Sequence, residues 1–96
     1  MNLDDLRSKR QQILELAARH GAANVRVFGS VIRAATHAGS DVDFLIDIVD
    51  LSRFAWGGGG LVVELQALIG CEIDLVTEKD LHWYIRERVL KEAAAL

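Results

Sequence analysis

Asn24-Val25-Arg26-Val27-Phe28 alternates and is rich in strand formers, and it stops abruptly at Gly29-Ser30. Val31 to Ala35 then reads as a short helix and Thr36-His37-Ala38-Gly39-Ser40 as a loop. A second strand follows in Asp41-Val42-Asp43-Phe44-Leu45-Ile46-Asp47-Ile48. Its period of two places Val42, Phe44, Ile46 and Ile48 on one face and Asp41, Asp43, Leu45 and Asp47 on the other. One face is core, and the other begins with two acids.

Outward from this pair the pattern turns helical on both sides. Leu3, Leu6, Ile13, Leu14 and Ala17 predict an amphipathic helix over 3–20, with Asn2 as its N-cap, Asp4 and Asp5 in the first turn and Gly21 as its stop. Residues 51–60 end in Gly57-Gly58-Gly59-Gly60, which reads as a hinge or mobile loop, and a helix over 61–69 ends at Gly70. Glu72 to Thr77 alternates again, with Ile73 and Leu75 on one face and Glu72, Asp74 and Val76 on the other. Thr77 with Asp80 resembles a cap for a closing helix through Leu90. The expectation is a small α/β (α+β) fold, a three-stranded mixed sheet packed against helices, forming one domain over 1–96.

Composition narrows the function. A chain of 96 residues, 51% hydrophobic and 26% charged, builds one core with little left for a separate substrate domain. Its net charge of −3 lacks the global electrostatic footprint of a nucleic-acid binder, so stable nucleic-acid binding is not expected. No apolar run reaches the roughly 20 residues of a membrane span, and Met1-Asn2-Leu3-Asp4-Asp5 does not read as a signal peptide. The lone Cys71 permits no internal disulfide, and a cytoplasmic protein is expected.

The chemistry sits where the Gly-Ser turn meets the acids. Such a turn offers backbone donors and a hydroxyl to a phosphate, and Gly29 has no Cβ to block close approach; a plain turn with a serine cap is the simpler alternative. Asp41 and Asp43 share a face about 6.5 to 7 Å apart, a spacing at which carboxylates share hard divalent cations. As a bare polar face the pair is expensive: carboxylates about 5 Å apart at an effective dielectric of ~20 repel by about 3 kcal/mol, which a cation would reverse. Asp47 lies about 13 Å beyond Asp43 and reads as solvated. His20, His37 and His82 show no ligand spacing, Trp56 reads as local packing, and Arg86 and Arg88 as a solvated face.

Val27-Phe28-Gly29-Ser30-Val31-Ile32-Arg33 with Ser40-Asp41-Val42-Asp43-Phe44 resembles the signature of the DNA polymerase beta-like nucleotidyltransferase superfamily, a Gly-Ser turn, an Arg, then Asp-x-Asp. The chain's shortness narrows the resemblance to the minimal nucleotidyltransferases, with Glu72-Ile73-Asp74-Leu75-Val76-Thr77 matching the strand that bears a third carboxylate. It departs from the family pattern in having Ile32 before Arg33 and Ala34 after it, where a small residue and a glycine are usual. The resemblance implies that Asp41, Asp43 and Asp74 are catalytic and hold two Mg²⁺ ions, with Asp74 as general base. It further implies that Gly29, Ser30 and Arg33 bind the phosphates of ATP.

The same resemblance implies transfer of AMP to a tyrosine hydroxyl of a HEPN-domain toxin, with this chain as the antitoxin. A catalytically weak or inactive antitoxin that neutralises by binding alone is the alternative. A drug-modifying nucleotidyltransferase is disfavoured because nothing after residue 50 suggests an acceptor pocket. Self-association stays open.

Overall fold

The computed structural model describes residues 2–32 and 42–96, without the side chains of Ser30 and Ala55. The chain runs through α1 (Leu3–Ser8), α2 (Arg10–Arg19), β1 (Ala22–Phe28), β2 (Val42–Ile48), α3 (Gly59–Ile69), β3 (Ile73–Val76), α4 (Trp83–Glu92) and β4 (Ala94–Ala95). Single 3-10 turns occupy Gly29–Val31, Ala55–Gly58 and Glu78–Asp80. The strands form one mixed sheet in the order β3-β2-β1-β4, with β1 antiparallel to β2 and β4, and β2 parallel to β3.

The expected helix over 3–20 is two helices. Asn2 caps the first as the sequence predicts, its Oδ1 accepting from Asp5 N–H at 2.8 Å. The Ser8 hydroxyl then donates to the Asp5 carbonyl at 2.6 Å, competing with the helix ladder, and Lys9 leaves helical geometry. Leu6, Ile13 and Ala17 nonetheless meet the same core as Phe44, Ile46, Leu61 and Leu65. The four glycines are divided between a turn and a helix: Gly57 and Gly58 turn the chain with left-handed backbone at φ +60 and +90, Gly58 against the Phe54 ring, and Gly59 and Gly60 begin α3.

Leu45 is fully buried although it alternates with Phe44 onto the face that carries Asp43, and it stands outside the main core cluster, as does buried Val89 of α4. The acidic face therefore buries one apolar side chain of β2, Leu45. The Thr77–Asp80 capping box is present, Thr77 N–H and Oγ1 both donating to Asp80 Oδ2 at 3.0 Å, but it closes the 3-10 turn, and α4 starts only at Trp83.

The sheet has four strands rather than three. Ala94 pairs with Val27, Ala95 with Arg26, and Leu96 N–H donates to the Val25 carbonyl at 3.1 Å. Arg10 Nε holds the Leu96 carbonyl at 2.7 Å, and Arg7 holds that of Ala95. Ala93-Ala94-Ala95 carries no local strand signal, so burial of Leu96 and these tertiary hydrogen bonds override a helix-forming composition.

Gly21 joins α2 to β1 at φ +74, and its carbonyl accepts from the Val49 and Asp50 amides. A Cβ here would overlap the Asp50 carbonyl, which is backbone and cannot swing aside. The Asp50 carboxylate is itself held by the Ser52 hydroxyl and amide, which keep its pKa below the ordinary value. Gly21→Ala should therefore destabilise the fold by about 2–4 kcal/mol, and Gly57→Ala, with open space at its Cβ, by about 1 kcal/mol. Thermal melts of the two variants check the ranking.

Candidate active site

Strand pairing aligns three residues in one row across the sheet. Phe28 at the end of β1 opposes Asp43 in β2, and Asp43 is the register partner of Asp74 in β3. Neighbouring strands lie about 4.8 Å apart and in-register parallel neighbours project to the same face, so the two carboxylates are adjacent. Asp43 is half-buried, whereas Asp74 is exposed on the edge strand.

Gly29 follows Phe28 directly and enters the 3-10 turn at φ +78. A Cβ at this position would collide with Asp43 Oδ2, so the turn backbone lies against the carboxylate with only a glycine's clearance. The turn closes through Ile32 N–H donating to the Gly29 carbonyl at 3.1 Å. Gly29 N–H donates to Glu92 Oε1 at 2.9 Å across the sheet end. Glu92 carries no motif and was missed by sequence reasoning; only the pairing of β4 with β1 brings it here.

Gly29, Asp43 and Asp74, read from the sequence as site residues, thus meet at one place. Asp41 and Arg33 lie outside the described residues, as do His37 and the side chain of Ser30. Among the described residues no three acidic, histidine or cysteine side chains gather as a metal site. The adjacent Asp43 and Asp74 supply hard oxygen donors on one face, a donor set suited to Mg²⁺.

The other candidates have structural partners. Asp47 is not simply solvated: it accepts from Arg26 Nη2 and from Asn24 Nδ2, both at 2.9 Å. Asn24 reaches it from φ +51, at the register irregularity of β1. Arg26 also faces Glu78 at 3.5 Å, and Arg86 faces Glu78 at 3.6 Å. Asp47, Glu78 and Arg86 border a cleft of about 330 Å³ at the Asp47 end of β2, lined also by Thr77 and Lys79, where the two acids and two bases largely neutralise one another. His20 pairs with Glu64 at 3.0 Å, and His82 stacks on Tyr84. Trp56, expected to pack locally, is 92% exposed.

A family model described as a nucleotidyltransferase domain matches residues 9–96. The chain belongs to the nucleotidyltransferase domain family. It is similar to the protein adenylyltransferase MntA of Thermococcus cleftensis, 38% identical over 81 residues that cover 81% of this chain and 78% of the relative. MJ0435 of Methanocaldococcus jannaschii, which carries a provisional protein-adenylyltransferase name, is 28% identical over 97% of this chain and 96% of its own length. A solved structure provisionally described as a minimal nucleotidyltransferase superposes with a TM-score of 0.77 at 40% identity, covering 100% of this chain and 97% of the other. In this nucleotidyltransferase no helix among the described residues is long and apolar enough to cross a membrane.

Proposed function

We propose that this nucleotidyltransferase, acting as one cytoplasmic catalytic domain over 1–96, transfers AMP from ATP to a tyrosine hydroxyl of a HEPN-domain toxin and thereby serves as its antitoxin. The observation that carries the reading is the in-register pairing of Asp43 with Asp74 beside the Gly29 turn. The names of two relatives, one a protein adenylyltransferase and the other provisionally so, support a protein acceptor.

Asp41, Asp43 and Asp74 would hold two Mg²⁺ ions, which when bound neutralise phosphate charge and stabilise the departing pyrophosphate. The Gly29 amide, Ser30 and Arg33 take the phosphates and hold the α-phosphorus in line with the acceptor. Asp74 accepts the tyrosine proton as the oxygen attacks. A bond from that oxygen to the α-phosphorus forms, the bond to the β-phosphate bridge breaks, and pyrophosphate leaves. Exposure of Asp74 on the edge strand suits this role, because an acceptor carried by another protein must reach the base from solvent.

Co-expression with a HEPN-domain toxin, followed by intact-mass analysis, tests the reading. The expected result is a tyrosine carrying one AMP and neutralised toxicity. Neutralisation of an unmodified partner by the wild-type chain would assign the function to binding alone.

A further inference from the structure

The Gly29 amide already holds an anion. Its N–H donates to Glu92 Oε1 at 2.9 Å, and sheet register explains why. β4 pairs Ala95 with Arg26 and Ala94 with Val27; carried two residues further, the same antiparallel register sets Glu92 opposite Gly29. Glu92 is the last residue of α4, after which the backbone turns extended at Ala93, so its side chain makes the contact that a ladder bond would otherwise make. A carboxylate at a helix C-terminus opposes the helix dipole, so the position gains from an N–H donor outside the helix. The arrangement puts two carboxylates around one glycine, Glu92 on its amide and Asp43 against its α-carbon.

A carboxylate oxygen and a phosphate oxygen are the same kind of charged acceptor, and one N–H makes one strong hydrogen bond. We propose that Glu92 is an internal competitor of the nucleotide, occupying the Gly29 amide in the ligand-free protein and leaving it when a phosphate binds. The inference rests on the reading of Gly29 as a phosphate-binding residue. Nucleotide affinity is then reduced by the fraction of molecules in which the amide is free. The like charge of the triphosphate assists displacement of the Glu92 side chain, which is only partly buried.

Calorimetric titration of the full chain with a non-hydrolysable ATP analogue in Mg²⁺ buffer tests this on wild type, Glu92→Ala and Glu92→Gln. Removal of the carboxylate should tighten binding about tenfold, and Gln, which keeps an acceptor without the charge, about threefold. Gln also preserves the contact with β1 and decides the matter should the Ala variant fold poorly. The Gly29 amide resonance should move on substitution before any ligand is added. Wild-type binding with equal or weaker binding in both variants overturns the proposal and makes Glu92 a structural tie. Absence of binding in all three proteins overturns the phosphate-site reading itself, and the competitor role with it.

Discussion

Asp43→Asn and Asp74→Asn should each lower AMP transfer by about 10³-fold, equivalent to roughly 4 kcal/mol of transition-state stabilisation. Both substitutions keep side-chain shape and remove one negative charge from a pair that neighbouring strands hold in register. On the proposed reading both residues serve one transfer step, so the double variant should be little worse than either single one. Stability separates this from a folding defect. Asp74 is exposed on an edge strand, so Asp74→Asn should leave the metal-free melting temperature within about 2 °C of wild type or raise it slightly, as like-charge repulsion screened by solvent is worth only ~1 kcal/mol. Initial rates of AMP incorporation, measured well below the melting temperature, check the first statement and calorimetry the second. Retention of transfer in Asp74→Asn would remove it as the base.

Gly29→Ala should damage the site more than the fold. A side chain at φ +78 costs about 1–2 kcal/mol in backbone strain. The added Cβ meets the far end of the Asp43 side chain, which can swing away, rather than fixed backbone. The melting temperature should therefore fall by about 5–10 °C while the chain still folds. Activity should fall by about 10²-fold or more, because Asp43 is the group that must move and small misplacements of reacting groups are costly. The contrast with Gly21→Ala is direct: there the collision is with the Asp50 carbonyl, so stability is lost. Wild-type transfer by the Gly29→Ala variant would show that the turn and Asp43 do not work together.

Glu92 changes how the site is entered. On the proposed reading, the donor that takes phosphate is not vacant before ATP arrives but is held by the end of α4. The segment that supplies Glu92 continues directly into β4, and the carbonyls of Ala95 and Leu96 are gripped by Arg7 and Arg10 from the first two helices. Occupancy of the turn is thereby tied to the docking of the chain's last strand.

Local signals in the sequence reached a good part of this protein. The strand ending at Gly29, the alternation that sets Asp43 opposite the Phe44 face, the Asn2 cap and the stop at Gly21 all depend on residues within one or two turns of each other. Their physics is short-range: side-chain period, a cap hydrogen bond, a positive φ. Tertiary structure alone decided the parallel register that sets Asp74 beside Asp43, because a one-residue slip would be locally just as acceptable and only the burial of Ile73 and Leu75 against the core selects it. It alone turned Ala94–Ala95 into a fourth strand, through hydrogen bonds to residues far away in the chain and the burial of Leu96. The meeting of Glu92 with Gly29, 63 positions apart, follows from that strand and from nothing in either residue's neighbourhood.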